Sequence, residues 1–228
     1  MNERLSSKVE RDDPKILSRT VAQSILSREG VMHPDQVKVL VAQNEYLKED
    51  VTGVLTRKGL RLELKKRLDK EPVKEASFVA IDLKSLKWVN DTFTHKKGGD
   101  VFLKGVAEKL KEVFPEREDP PIIGRIGGDE FVIFVPHASD EEKEILAGYM
   151  SFLFDDSEDD NDGCWIPISD TVEIRARGRY EIEHISNGRL TMEVIAAAYE
   201  LTDEKLTAAA EIEKDRGKPS PIRIREPR

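Results

Sequence analysis

Two kinds of hydrophobic pattern alternate along this chain. Apolar residues that recur every three to four positions predict amphipathic helices, whereas short apolar or alternating runs predict strands, because a helix repeats every 3.6 residues and a strand every two. The predicted helices cover about residues 14–26, 34–47, 60–68, 100–113, 139–154 and 191–214. The predicted strands cover 78–83, the two arms of 122–136, 171–177 and 180–185, with 219–228 as a last edge strand.

The order of these elements predicts a mixed sheet with helices packed on it. The run Phe78–Leu83 is apolar except for Asp82, which indicates a central strand that is buried on both faces. Ser139 followed three residues later by Glu142 is typical of a capping box at a helix start. The acidic run 155–162 predicts a solvated loop, since a block of like charges repels itself.

The segment 122–136 predicts a β-hairpin with chemistry at its tip. Gly127 and Gly128 are expected to supply the positive φ angles of a tight turn and to let a ligand approach the backbone. Asp129 and Glu130 follow where the second strand starts, and acidic residues are rare in strands. Two interpretations stay open from this stretch alone: an ordinary solvated turn, or a site at which the carboxylates bind a cation.

Composition narrows the class of protein. The 228 residues include 36% charged residues with a formal net charge of −8, which argues against a nucleic-acid backbone or an anionic membrane as the main partner. The single cysteine, Cys164, excludes an internal disulfide and fits a reducing compartment. The sequence has neither an apolar run long enough to span a membrane nor the apolar core of a signal peptide, so the expected location is the cytoplasm.

Four motifs fall in a recognisable order. Residues 49–57 read Glu-Asp-Val-Thr-Gly-Val-Leu-Thr-Arg, and residues 80–91 read Ala-Ile-Asp-Leu-Lys-Ser-Leu-Lys-Trp-Val-Asn-Asp. His95 to Asp100 and the sequence Gly-Gly-Asp-Glu-Phe at 127–131 follow. Together the four motifs resemble, in order and spacing, those of GGDEF domains, the diguanylate cyclases, over about residues 49–136.

The resemblance implies a fold and a reaction. The fold is α+β and palm-like, with a central, mostly antiparallel sheet flanked by helices. The implied domain covers 49–228, and the helical segment 1–48 is then a cap or a dimerisation element. The implied enzyme is a nucleotidyltransferase that condenses two GTP into cyclic di-GMP and pyrophosphate with Mg²⁺, or Mn²⁺ in its place. Each domain holds one GTP, so activity requires a homodimer, at least a transient one.

The resemblance also assigns site residues. The metal ligands are Asp82, the backbone carbonyl of Leu83, and Asp129, and hard oxygen ligands of this kind suit Mg²⁺. Asp129 or Glu130 helps to accept the hydroxyl proton, and Lys87 stabilises charge on the phosphate that is transferred. The expected substrate contacts are Asn90, His95 and Asp100 around the base, and Gly127 and Gly128 at the phosphates. Lys214, one helical turn after the position of the family's phosphate-binding lysine, is expected to take over its role.

Departures from the family pattern keep two other functions open. Lys84 replaces the second acidic residue of the metal-strand motif, and the segment from His95 to Asp100 is one residue longer than in the family, so the extra glycine must bulge out if Asp100 reads guanine. The Arg-x-x-Asp product-inhibition motif is missing, and Ala208–Ala210 stand where a phosphate-binding lysine is expected. One alternative is therefore a degenerate domain that binds GTP or a cyclic dinucleotide and signals to a protein partner. The other is a palm-fold cyclase that makes a different cyclic nucleotide.

Overall fold

The computed structural model describes residues 47–114, 117–154, 163–215 and 222–227. The helices predicted at 14–26 and 34–47 lie outside these ranges, apart from Leu47, as does the acidic run 155–162. Within the described ranges, no helix is both long enough and apolar enough to cross a membrane.

Five helices and eight strands make up the described part of the chain. The helices are α1 (Arg57–Lys70), α2 (Leu86–Phe93), α3 (Asp100–Glu112), α4 (Asp140–Phe154) and α5 (Met192–Asp215), with a π-helical turn at His95–Gly99 between α2 and α3. The strands are β1 (Leu55–Thr56), β2 (Glu75–Leu83), β3 (Ile122–Arg125), β4 (Glu130–Pro136), β5 (Trp165–Ser169), β6 (Val172–Arg175), β7 (Gly178–Ser186) and β8 (Ile224–Arg225).

A five-stranded sheet in the order β1-β3-β4-β2-β7 forms the centre of the domain. Strand β2 runs antiparallel to both β4 and β7, and β3 runs antiparallel to β4; β1 and β3 are parallel. The predicted α+β architecture with a mostly antiparallel sheet is therefore confirmed. The predicted hairpin is also confirmed, with β3 and β4 as its arms.

Both faces of this sheet are buried, as the apolar run in β2 predicts. Val79 and Ile81 point to a face that is covered by α2, α3 and α4, where Phe102 and Met150 are fully buried. Alternate residues of the same strand, such as Phe78, point to the other face, which α1 and α5 cover. Because successive side chains of a strand alternate between faces, a strand covered on both sides needs apolar residues at nearly every position.

A smaller antiparallel sheet contains β5, β6 and β8 in that order. The tail was predicted as an edge strand, and β8 confirms this by pairing with β6. The side chain of Arg225 in β8 stacks 4.1 Å from the centre of the Trp165 ring and bonds to Glu173 at 2.7 Å. Strand β5 was not predicted, because Pro167 and the preceding acidic run mask its alternating pattern.

Two local predictions concern where an element begins. The capping box at α4 is confirmed, since the Ser139 amide donates to a Glu142 carboxylate oxygen at 3.0 Å and the Glu142 amide donates to Ser139 Oγ at 3.3 Å. The strand predicted at 180–185 lies within β7, which begins two residues earlier, at Gly178. A glycine is favoured there because an added Cβ would lie 3.0 Å from the carbonyl oxygen of Asp82.

Candidate active site

The pairing of β2 with β4 brings the predicted carboxylates to one end of the sheet. Asp82 lies opposite Glu130 in the register of the two strands. The Leu83 amide donates a hydrogen bond of 2.9 Å to the Asp129 carbonyl, which places the hairpin tip beside the end of β2. The structure therefore brings together Asp82, Leu83, Asp129 and Glu130, which are far apart in sequence.

These carboxylates perturb one another electrostatically. Burial is the largest cause that raises the pKa of Asp82; the Arg179 guanidinium opposes it, and the charge of Asp129 adds to it. Burial also raises the pKa of Glu130, with further increases from Asp129 and Asp203. Several partly buried negative charges that repel one another favour binding of a cation, because a cation removes the repulsion.

Arg179 on β7 is a residue of this site that the sequence analysis missed. It lies opposite Asp82 in the pairing of β2 with β7, and its Nη2 atom is 2.8 Å from Asp82 Oδ2. Asp82 thus sits between Glu130 on one neighbouring strand and Arg179 on the other. The position of Arg179 depends on the register of two strands nearly 100 residues apart, which the pattern of a single sequence does not specify.

Two arginines fix the hairpin tip through its backbone carbonyls. Arg57 at the start of α1 donates from Nε and Nη2 to the Ile126 carbonyl, at 3.3 and 3.1 Å. Arg125 donates from the same two nitrogens to the Gly128 carbonyl at 3.2 and 2.6 Å, and its Nη1 atom is 2.9 Å from Glu49. The planar guanidinium fork suits this two-point attachment, so the tip is held from both sides.

The expectation that Gly127 and Gly128 adopt positive φ angles is wrong. In the described part of the chain, the glycines with positive φ are Gly53, Gly163 and Gly188. Gly127 leaves room for a neighbouring side chain: a Cβ atom there would lie 2.3 Å from Glu130 Oε2, so the Glu130 side chain would have to shift. A Cβ at Gly128 would meet no atom within 4 Å. The hairpin turn runs over Ile126–Asp129 and is closed by the Ile126 amide, which donates to the Glu130 carbonyl at 2.9 Å, so it does not need a left-handed residue.

The other predicted site residues lie on α2, the π-helical turn, α3 and α5. Lys87 is exposed on α2, whereas Leu86 and Val89 of the same helix are buried. Asn90 lies near the end of α2, and its Oδ1 atom is buried without a hydrogen-bond partner among the described residues. His95 is exposed at the start of the turn, and Asp100 is half-buried at the start of α3. Lys214 lies in the last turn of α5.

The longer segment between His95 and Asp100 is accommodated by the π-helical turn. The Gly99 amide donates to the Thr94 carbonyl at 3.2 Å, and the Asp100 amide donates to that of His95, so the loop closes with one residue more than an α-helical turn. The extra glycine does not bulge outwards, because Gly98 and Gly99 are both buried. A Cβ at Gly99 would lie 1.8 Å from Asn90 Oδ1, so the turn packs directly on Asn90.

Helix α5 closes the other side of the carboxylate cluster. Asp82 and Glu130 line a cavity of about 210 Å³ together with residues of α5 that include Tyr199, Asp203 and Thr207. Burial, together with the charges of Asp203 and Glu130, raises the pKa of Tyr199. Tyr199 and Asp203 are four residues apart, which places them on one face of a helix, but the sequence does not indicate that this face meets the hairpin.

Comparison with known proteins identifies the family. The sequence profile described as "Diguanylate cyclase, GGDEF domain" matches residues 48–172, more than half of the chain. The chain belongs to the GGDEF family.

Curated relatives share part of this GGDEF domain. The chain is 37% identical over 93 residues to the probable diguanylate cyclase DgcJ of Escherichia coli K12, a match that covers 40% of this chain and 18% of that protein. It is 43% identical over 53 residues to the diguanylate cyclase DgcP of the same organism, which covers 23% and 14% of the two chains. The matched region thus spans less than a fifth of the length of either relative.

Solved structures share the fold. A sensory box/GGDEF family protein from Caulobacter crescentus superposes with a TM-score of 0.55 at 20% identity, covering 72% of this chain and 99% of that one. The coiled coil and GGDEF domain of DgcB from the same organism, in complex with c-di-GMP, gives a TM-score of 0.55 at 17% identity, covering 86% and 94%. At these identities the similarity supports the GGDEF fold alone.

The raised pKa of Glu130 leads to a prediction on the stability of this GGDEF domain. A carboxyl whose folded pKa is raised destabilises the fold once it is ionised, so the free energy of unfolding falls as pH rises from the ordinary glutamate pKa through the folded pKa. We expect Glu130→Gln to stabilise the domain without added metal at pH 7 by up to about 1 kcal/mol, since partial exposure screens the charge. The gain should vanish below about pH 4, where the glutamate is also neutral. Urea unfolding at both pH values measures this; equal gains at both would contradict it.

Proposed function

We propose that this GGDEF domain is a diguanylate cyclase that condenses two GTP molecules into cyclic di-GMP and two pyrophosphates. The observation that carries the proposal is the convergence of Asp82, Asp129 and Glu130, in which burial and mutual repulsion raise the pKa of Asp82 and Glu130. Family membership and the names of the curated relatives support the same reaction. Unfavourable groups of charges such as this one, at one end of the central strands, are typical of functional sites.

The residues at this site fit Mg²⁺, with Mn²⁺ as a substitute. Asp82, Asp129 and the carbonyl oxygen of Leu83 would be the ligands, and all three supply the hard oxygen atoms that Mg²⁺ prefers. When bound, Mg²⁺ would neutralise charge on the triphosphate during transfer. Arg179 already holds Asp82 through Oδ2, so it orients the carboxylate and supplies a positive charge next to the site.

The remaining residues would bind and orient GTP and move one proton. In each of two transfers the 3′-hydroxyl of one nucleotide attacks the α-phosphate of the other, one P–O bond forms, and the bond to pyrophosphate breaks. The proton of the hydroxyl needs an acceptor, for which Glu130 or Asp129 is placed at the hairpin tip. A raised pKa makes Glu130 the better acceptor. Lys87, exposed on α2, would reach a phosphate oxygen.

Base selectivity provides a test of Asp100. A carboxylate that accepts hydrogen bonds from N1–H and the exocyclic amine of guanine rejects adenine, which lacks these two donors on the same edge. Because the π-helical turn packs on Asn90 through Gly99 and places Asp100 next in the chain, at the start of α3, we propose that Asp100 reads the base. Asp100→Ala is expected to lower the ratio of kcat/KM for GTP over ATP by at least tenfold, with a smaller effect on kcat for GTP. An unchanged ratio would exclude Asp100 as the base reader.

The requirement for two half-sites gives a kinetic prediction. We propose that each domain holds one GTP at its carboxylate cluster, so two domains must face each other. The rate per protomer should therefore rise with protein concentration through the range in which sedimentation shows dimers to form. A rate per protomer that stays constant in a species shown to be monomeric would contradict the dimer.

A second candidate function is a binding module that holds GTP or a cyclic dinucleotide and signals to a protein partner without turnover. The ion pair between Arg179 and Asp82 favours the binding module, because Arg179 competes with a metal for one carboxylate oxygen of Asp82. Two measurements distinguish the binding module from the cyclase: pyrophosphate release from GTP in the presence of Mg²⁺, and calorimetric binding of GTP and of c-di-GMP. Binding without pyrophosphate release would favour the module, and release would favour the cyclase.

A further inference from the structure

A histidine and two carboxylates, side chains that can bind metals, lie close together at the opposite end of the central sheet. Glu71 follows the last residue of α1, Asp119 lies in the loop before β3, and His137 follows β4. One ligand atom from each of these residues lies within 4.8 Å of the other two. We propose that Glu71, Asp119 and His137 form a binding site for Zn²⁺ or a closely related divalent transition metal, separate from the nucleotide site.

The distance between the histidine and the aspartate suits a shared tetrahedral ion. His137 Nε2 lies 3.5 Å from Asp119 Oδ2. Zinc bonds of about 2.0–2.1 Å at tetrahedral angles separate two ligand atoms by about 3.3 Å. One imidazole and two carboxylates are ligands that zinc accepts in proteins, and a water completes the four-coordinate set. The His137 side chain is 43% exposed, so this water has access from solvent.

Arg67 orients Asp119 so that one of its oxygens is left for a metal. The Arg67 guanidinium pairs with Oδ1 of Asp119. The other oxygen, Oδ2, is buried, and among the described residues it accepts no hydrogen bond. A buried carboxylate oxygen without a partner is costly, and a metal would satisfy it. Carboxylates that bind metals are commonly fixed by an outer hydrogen bond of this kind.

The backbone of His137 is held in an unusual conformation at the same place. Its φ angle is 54°, in the left-handed region that residues other than glycine seldom adopt. The His137 amide donates to the Glu75 carbonyl at 2.9 Å, which ties this conformation to the start of β2. The imidazole is thereby directed towards Asp119 by the main chain.

The register of β2 and β4 separates this group from the carboxylate cluster. His137 follows Pro136, which pairs with Ala76, whereas Asp82 pairs with Glu130 six residues further along β2. At about 3.4 Å per residue, the two sites are about 20 Å apart. The zinc would join the end of α1, the loop before β3 and the end of β4, so its role is to stabilise this end of the fold rather than to take part in nucleotide transfer.

Calorimetry with ZnCl₂ on the tag-free full chain tests the proposal. With excess Mg²⁺ present to occupy the carboxylate cluster, we expect one zinc site per chain that His137→Asn weakens at least tenfold. Asparagine is chosen because it tolerates the left-handed backbone. Asp119→Asn should weaken the same site. His95→Asn makes the same substitution at an exposed histidine, and Glu118→Gln removes a carboxylate next to Asp119; neither should change the affinity. Co²⁺ in place of Zn²⁺ should give the strong visible absorption of four-coordinate cobalt.

The controls decide what each outcome means. Circular dichroism establishes whether each variant folds. The check matters most for Asp119→Asn, because Asp119 also pairs with Arg67. Absence of zinc binding, or equal affinity in the wild type and in folded His137→Asn, would overturn the proposal. A loss of affinity in His95→Asn as large as in His137→Asn would also overturn it, since the ion would then bind elsewhere.

Discussion

Asp82→Asn is expected to lower the rate of cyclic di-GMP formation at least about a hundredfold while the domain stays folded. Asparagine keeps the size of the side chain but removes the charge that a cation needs, and a metal ion contributes several kcal/mol to stabilising charge in the transition state. Each 1.4 kcal/mol corresponds to a tenfold change in rate. Asp129→Ala should have a similar effect, because both carboxylates lie at the same end of β2 and β4.

The control for this experiment is Asp170→Asn, which removes an exposed carboxylate in the turn between β5 and β6. Its activity should equal that of the wild type. Because Asp82 is paired with Arg179, far-UV circular dichroism and a thermal melt must accompany the rate measurement. Product formation by folded Asp82→Asn at close to the wild-type rate would show that Asp82 does not bind the metal.

The second large effect is expected at Gly127. A methyl group at this position would lie 2.3 Å from Glu130 Oε2, so Gly127→Ala must displace the Glu130 carboxylate from the cluster. We expect kcat to fall at least tenfold, because Glu130 is the proposed proton acceptor, and the affinity for Mg²⁺ to fall with it, because the charge of Glu130 adds to those of Asp82 and Asp129. The matched variant Gly128→Ala adds the same methyl group where no atom lies within 4 Å, and its affinity for Mg²⁺ should not change.

This comparison is made on Mg²⁺ affinity because Gly128 is also proposed to lie against the phosphates, so its replacement can affect turnover for a different reason. Equal Mg²⁺ affinities for the two variants would mean that the position of Glu130 does not matter for the ion. A loss of Mg²⁺ affinity in both variants would mean that the turn itself requires glycine at both positions, whatever the position of Glu130.

Much of the fold follows from local patterns. The run Phe78–Leu83 predicts the central strand because it is apolar on both faces, and Ser139 with Glu142 predicts the start of α4 because the two residues satisfy each other's backbone amides. The hairpin was also predicted from a local pattern, because the turn residues Gly127 and Gly128 lie between two apolar runs.

The parts of the site that were not predicted depend on register and packing. Arg179 meets Asp82, and Asp203 approaches Glu130, only because β7 and α5 fold against β2 and the hairpin. The expectation for Gly127 failed because a Gly-Gly pair indicates a turn but not which torsion angles the turn adopts. The extra residue before Asp100 was evident from the sequence, but its accommodation in a π-helical turn depends on packing against Asn90.

The most direct test of the central claim is mass spectrometry of the product formed from GTP. The tag-free protein is incubated at high protomer concentration with GTP, with and without Mg²⁺, and in parallel with ATP and Mg²⁺. The proposal predicts cyclic di-GMP and two equivalents of pyrophosphate from GTP, only when Mg²⁺ is present, and little product from ATP. Unchanged GTP in the presence of Mg²⁺, or a cyclic product formed equally well from ATP, would contradict it.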